Sequence, residues 1–169
     1  MEQIIKKILT ATTTQEVSNI IESVFLSQDA NWRKVGDREV NWGSLGIGTD
    51  PAAGLVERIT NSFDAVLEKE MILNPIQHID SPRMATEKFF NIDKGRLHNI
   101  KDPKDIRIES LKDKVVVTFQ DSDNPKKPTV EIRDSGIGLN SDEFKETILS
   151  LNQKNKLNKL HLMGAFGQG

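Results

Sequence analysis

Apolar residues recur every three or four positions in the first half of the chain, and this spacing predicts amphipathic helices. Residues 3–10 and 14–27 both follow it. A third helix is predicted from Asp50-Pro51 to about Met71, because aspartate at the N-cap and proline in the first turn favour a helix start. Ser81-Pro82 predicts a shorter helix that ends at Phe90.

The second half of the chain contains shorter stretches with strand character. Residues 115–119 are β-branched or aromatic, residues 129–133 form a second such run, and the turn signal at 121–127 between them predicts a β-hairpin. Ile106 and Ile108 alternate with polar residues and predict a further short strand. Ser141-Asp142-Glu143 predicts the start of a helix that runs to Leu151. Residues 28–50 are predicted to be irregular, residues 72–104 to be broken by prolines, and residues 152–163 to form a polar, mobile loop.

Composition narrows the class of protein. The 169 residues are 36% hydrophobic and 28% charged, as expected for a globular domain with a core. The net charge of −2 gives no overall attraction to nucleic acid or membrane, and the absence of cysteine excludes disulfides and thiol chemistry. No apolar run approaches the ~20 residues of a membrane span, so we expect a cytoplasmic protein without a membrane partner. Because the sequence stops in a glycine-rich segment, we also expect an N-terminal piece of a larger protein.

The third predicted helix carries a polar stripe. At ~100° per residue its apolar side chains share one broad side. The opposite side holds Glu57, Asn61, Asp64 and Glu68. A solvated face is one interpretation, but asparagine and aspartate are poor helix formers and no matched cation accompanies them. In a magnesium site, the Asn61 amide could be a ligand, and Glu57 could act as base on a water beside a terminal phosphate.

Two glycine-rich segments follow. The first, residues 134–139, lies between a predicted strand and a predicted helix, so it is either a simple turn or a binding loop. In a binding loop Asp134 would accept a hydrogen bond from an exocyclic amine, and Ile137 and Leu139 would line a slot for a flat ring. The second, residues 164–169, reads G-x-x-G-x-G and would hold phosphate oxygens with its backbone N–H groups.

Taken in order, the three segments resemble the GHKL superfamily, which includes heat-shock chaperones of the ninety-kilodalton class, gyrase-type topoisomerases, MutL and MORC proteins, and histidine kinases. The family's box E-x-x-x-N-x-x-D-A corresponds to Glu57, Asn61, Asp64 and Ala65. Its box D-x-G-x-G corresponds to Asp134, Gly136 and Gly138. Its last box covers Gly164, Ala165, Phe166, Gly167, Gln168 and Gly169, and is most similar to the chaperone and MORC versions.

The resemblance implies a Bergerat-type fold, an α/β (α+β) two-layer sandwich with helices on one face of a mixed, mainly antiparallel sheet. Residues 51–169 would form the ATP-binding domain without its later strands, and residues 1–50 an N-terminal extension. ATP and Mg²⁺ would be the cofactors, with Glu57 as general base, Asn61 as magnesium ligand and Asp134 contacting the adenine amino group. Residues 140–163 would be a lid, and residues 164–169 would wrap the phosphates. The remaining nucleotide contacts would come from Asp64, Ala65, Gly136, Ile137, Gly138 and Leu139.

The resemblance favours an ATP-driven conformational switch that forms an ATP-dependent homodimer and acts on an unidentified protein or DNA client. A regulatory module that binds nucleotide without hydrolysis is the alternative, and a histidine-kinase-like domain ranks below it, because such kinases generally lack the glutamate and the Asp-Ala pair of the first box. Three lysines of the predicted lid could meet phosphates, although a solvated loop is favoured for them: Lys154, Lys156 and Lys159. The three histidines, His78, His98 and His161, show no ligand spacing.

Overall fold

A computed structural model describes residues 2–24, 50–121, 124, 126–143 and 159–164. These ranges combine helices with a two-stranded antiparallel sheet, which is an α+β arrangement. The elements in chain order are α1 (Glu2–Thr10), α2 (Thr14–Val24), α3 (Pro51–Leu73), α4 (Pro82–Phe90), the 3₁₀ turns Asp93–Gly95 and Leu97–Asn99, α5 (Ile106–Leu111), β1 (Val115–Gln120) and β2 (Thr129–Asp134). The predicted irregular residues 28–49 and the predicted helical residues 144–151 lie outside the described ranges.

The long helix α3 begins where the sequence predicts. The Asp50 side chain accepts a hydrogen bond of 2.9 Å from the Ala52 N–H, and Pro51 occupies the first turn. This arrangement satisfies one of the N–H groups that a helix start leaves unpaired. The helix ends two residues beyond the predicted Met71, at Leu73, where the Asn74 N–H donates to the Glu70 carbonyl at 2.8 Å.

Helix α4 is confirmed with the predicted bounds. The Ser81 hydroxyl accepts a hydrogen bond of 3.2 Å from the Met84 N–H. At the other end Asn91 adopts a left-handed conformation with φ of 53°, which asparagine tolerates better than most residues. Both ends of this helix are therefore set by local side-chain chemistry.

The strand predicted around Ile106 and Ile108 is wrong, because these residues belong to α5. Asp105 accepts a 2.9 Å hydrogen bond from the Arg107 N–H as the N-cap, and it also pairs with the Arg107 guanidinium at 2.6 Å. The guanidinium hydrogen bonds lower the pKa of Asp105 to about 2. Ile106 is 82% exposed, so the apolar alternation did not mark a buried strand face.

The predicted hairpin is confirmed. Val115 lies opposite Asp134 and Gln120 lies opposite Thr129, so the strands are paired along their full length. Just beyond β2, the Ser135 N–H donates to the Lys114 carbonyl at 2.9 Å. This register places Asp134 and the following glycine loop beside the start of β1.

The core forms where α3 packs with α4 and the hairpin. Leu67, Ile79, Ala85 and Leu162 make its buried cluster. Leu162 is only 8% exposed, although it belongs to the short segment 159–164. None of the helices in the described ranges is long and apolar enough to cross a membrane.

The helices α1 and α2 are connected by a local capping arrangement. The Glu16 carboxylate accepts a 2.7 Å hydrogen bond from the Thr12 N–H, and this bond helps to lower the pKa of Glu16. The Thr129 hydroxyl donates to the Thr12 carbonyl at 3.0 Å, which attaches this corner to β2. A cavity of about 200 Å³ between the corner and the hairpin shares no residue with the predicted site.

Candidate functional site

The first two predicted boxes are in direct contact. The Ile137 N–H donates a 3.1 Å hydrogen bond to the Ala65 carbonyl in the middle of α3. A Cβ atom at Gly136 would lie 2.5 Å from the Ala65 Cβ, which is closer than any ordinary carbon contact. The loop therefore approaches the helix at a distance that only glycine permits.

A lysine of α3 holds the same loop from a second point. The Lys69 ammonium donates a 2.7 Å hydrogen bond to the Ser135 carbonyl. No predicted box contains Lys69, and its role becomes visible only when helix and loop are seen together. The loop that follows β2 is thus fixed to α3 by Lys69 and by the backbone of Ala65.

Asp134 is the last residue of β2 and directly precedes this loop. Its Oδ1 accepts a 2.9 Å hydrogen bond from the Gly136 N–H, and the side chain is exposed. Within the described ranges no hydrogen bond engages its Oδ2. An ionised carboxylate with a remaining acceptor oxygen can take a hydrogen bond from an amine, which is the chemistry predicted for this residue.

The glycine loop is open beyond Gly136. Gly138 has a φ of 69°, the left-handed region that glycine adopts without strain, and a Cβ there would meet nothing within 4 Å. Ile137 and Leu139 are both exposed. The predicted apolar slot would therefore have two uncovered aliphatic side chains beside the Asp134 carboxylate.

The first box also contacts the start of the third. Asp64 is 2% exposed, and its two carboxylate oxygens accept backbone hydrogen bonds from Met163 at 2.6 Å and from Gly164 at 2.9 Å. A buried carboxylate is costly unless hydrogen bonds compensate for its lost hydration. Asp64, predicted as a nucleotide contact, here holds the backbone where the last glycine segment begins. The rest of that segment lies outside the described ranges: Ala165, Phe166, Gly167, Gln168 and Gly169.

Segment 159–164 is docked on α3, so the mobile loop predicted for residues 152–163 is wrong for residues 159–163, and residues 152–158 lie outside the described ranges. Lys159 makes a salt bridge with Glu68, which lies one turn beyond Asp64. Leu162 enters the core beside this pair. The polar stripe of α3 is therefore partly covered, and the alternative of a fully solvated face does not hold for Asp64.

His161 lies between these anchors and was given no role by the sequence pattern. Its Nε2 atom is buried and has no hydrogen-bond partner in the described part of the chain. Burial lowers the pKa of His161, and nearby Lys159 acts in the same direction, whereas Glu68 and Asp64 oppose it. The imidazole is therefore favoured in its neutral form while the segment is docked.

Asn61 and Glu57 lie one and two turns, respectively, before the anchored part of α3. Glu57 is half-buried and Asn61 is exposed, and their spacing of four places them on neighbouring turns of one face. No group of three histidine or acidic side chains that could hold a metal occurs within the described ranges. Because Mg²⁺ commonly takes one or two protein oxygens and completes its shell with phosphates and water, the exposed Asn61 amide fits such a site.

The second predicted box and the first glycine of the third both contact α3, which carries the first box, although the three are far apart in sequence. Ala65 contacts the second box, Asp64 contacts the first glycine of the third, and Glu57 and Asn61 extend along the same helix. Comparison of the chain with models of protein families, with curated proteins and with solved structures found no match.

Proposed function

We propose that the chain binds ATP with Mg²⁺ beside α3 and hydrolyses it, as a domain of the Bergerat type. The observation that carries the proposal is the convergence of three motifs on one helix. Asp64 and Ala65 are adjacent residues of the first box, and each holds the backbone of a different later box. A purely structural turn would not require the acceptor, the glycine loop and the Glu-Asn pair to be assembled together.

The proposed roles follow from the chemistry of the exposed groups. The Oδ2 oxygen of Asp134, which no hydrogen bond engages within the described ranges, accepts a hydrogen bond from the adenine amino group. The left-handed Gly138, with open space around it, leaves room for the ring. The Gly164 N–H already donates to Asp64, so the backbone N–H groups that follow it are proposed to bind the phosphate oxygens, because amides arranged in a loop attract anions. Asn61 supplies one oxygen to Mg²⁺, which when bound would neutralise charge on the phosphates.

Glu57 is proposed to accept a proton from the attacking water. Glu57 is half-buried and lies one turn before Asn61 on the same helix, which supports a carboxylate near the proposed magnesium ligand. General-base assistance of this kind typically contributes about 10²–10⁴-fold to a rate. A module that binds ATP for regulation would need Asp134 and the loops but not this glutamate.

Calorimetry with a non-hydrolysable ATP analogue, with and without Mg²⁺, tests the binding step. We expect Asp134→Asn to weaken binding by about 10–150-fold, because it removes a charge-assisted hydrogen bond of about 1.5–3 kcal/mol. The matched variant Asp121→Asn alters an exposed aspartate at the end of β1 and should bind normally. A correctly folded chain that binds no ATP analogue at millimolar concentration would disprove the proposed function.

Phosphate release measured on the same samples tests the hydrolytic step. Glu57→Gln should retain binding and lose turnover by about 10²–10⁴-fold, while Glu87→Gln, an exposed glutamate of α4, should retain both. Binding that persists with no turnover in the unmodified chain would assign it to the regulatory alternative instead.

A further inference from the structure

Segment 159–164 is held on α3 by both polar and apolar contacts. Asp64 holds the N–H groups of Met163 and Gly164, and Leu162 is buried in the core. Between these contacts and the Lys159–Glu68 salt bridge lies His161, whose buried Nε2 has no hydrogen-bond partner in the described part of the chain. In the neutral tautomer with the proton on Nδ1, Nε2 is an acceptor that forgoes one hydrogen bond, whereas protonation of Nε2 would place an unpaired N–H of a cationic ring in a buried position.

We propose that His161 is a proton-sensitive positioning residue, and that its protonation releases segment 159–164 from α3. The proposal rests on the proposed function in one respect, since release of Gly164 would loosen the start of the phosphate-binding segment. The consequence is weaker ATP binding under mildly acidic conditions. His161 itself contacts no substrate in this scheme and acts through the backbone that Asp64 holds.

The charged groups around the imidazole set the direction of the effect. Lys159 on the same segment repels a protonated ring, and Glu68 and Asp64 on α3 attract it. Both carboxylates already have cationic or N–H partners, Lys159 for Glu68 and two backbone amides for Asp64. Burial outweighs their attraction, so the docked segment favours the neutral ring.

The sign of the pH dependence follows from linkage. The released segment has an ordinary histidine pKa of about 6.5, and the docked segment has a lower one. The released form therefore binds more protons, and docking is fully favourable above about pH 6.5 and weakens as the pH falls towards the docked pKa. The weakening is at most about tenfold per pH unit, because a single proton is involved.

Amide hydrogen exchange of Met163 and Gly164, measured by NMR from pH 5.5 to 8.0 and corrected for intrinsic rates, tests the release without nucleotide. We expect their protection to fall by about threefold or more below pH 6.5 and to follow the titration of the His161 ring signals. His161→Gln should remove this dependence, and His98→Gln, which alters an exposed histidine, should leave it unchanged.

If His161→Gln does not fold, the titration of the His161 ring signals in the unmodified chain still tests the proposal. Protection that does not change with pH, or that changes at a midpoint different from the His161 titration, would overturn the proposal. Affinity for the ATP analogue over the same pH range gives the functional readout. Lack of ATP binding at pH 8.0 would count against the proposed function alone, since the exchange experiment needs no nucleotide.

Discussion

Gly136→Ala is the substitution whose effect can be worked out most directly from the structure. The added Cβ would lie 2.5 Å from the Cβ of Ala65 and 2.7 Å from its carbonyl carbon. Because carbon atoms in contact are separated by about 3.5–4.0 Å, the loop must move away from α3 by about 1 Å. The Ile137 N–H would then lose its 3.1 Å hydrogen bond to the Ala65 carbonyl.

The expected cost combines two terms. Overpacking of a close contact costs about 1–3 kcal/mol, and loss of the hydrogen bond adds about 0.5–1.5 kcal/mol. We therefore expect Gly136→Ala to lower the free energy of unfolding by about 1.5–4.5 kcal/mol. Adding Ala65→Gly should recover only part of this loss, because the backbone carbonyl carbon of residue 65 would still be too close.

Urea unfolding at constant slope gives the free-energy change, and calorimetry gives the accompanying loss of ATP affinity. Two other glycines are matched controls. Gly54→Ala, inside α3 with no atom within 4 Å, should stabilise the chain by about 0.5–1 kcal/mol. Gly138→Ala also has open space but a φ of 69°, so it should cost about 1–2 kcal/mol. The reasoning is refuted if Gly136→Ala is as stable as the unmodified chain or less destabilised than Gly138→Ala.

Three further substitutions test other contacts. Asp64→Asn should weaken docking of segment 159–164 by about 1.5–3 kcal/mol, because one of the two part-buried backbone N–H groups of Met163 and Gly164 loses its charged acceptor. Amide exchange of these two residues should become faster, and equal exchange in Asp64→Asn and in the exposed control Asp80→Asn would contradict this. Pairing with Arg107 lowers the pKa of Asp105 in the folded state, so its contribution to stability is present above the ordinary aspartate pKa of 3.8 and is lost as the pH falls through about 2. Asp105→Asn should abolish this contribution. Melting temperatures of the variant from pH 2 to 5 that match those of the unmodified chain would argue against it. Ser81→Ala should cost about 1 kcal/mol in urea unfolding by removing the N-cap of α4, and an unchanged midpoint would show that this cap contributes nothing.

The elements that the sequence predicted correctly are those with local determinants. Asp50 and Ser81 cap α3 and α4 by accepting hydrogen bonds from backbone N–H groups two or three residues later. The start of each helix can therefore be predicted from a few neighbouring residues. The hairpin is similar, because two β-prone runs flank a short turn signal. The strand predicted at Ile106 and Ile108 was wrong because two alternating apolar residues are compatible with a strand or a helix. The N-cap at Asp105 favours the helix.

The sequence by itself determined which residue types are available for the proposed site and their order along the chain. It showed the polar stripe of α3 but could not show that Asp64 is buried, since that depends on a segment about 100 residues away. The same holds for Gly136, whose need to be glycine comes from the proximity of Ala65 and not from its neighbours in the chain. Only the tertiary structure separated Asp64, which holds backbone, from Asp134, which remains exposed, because contacts between distant segments have no fixed spacing in sequence.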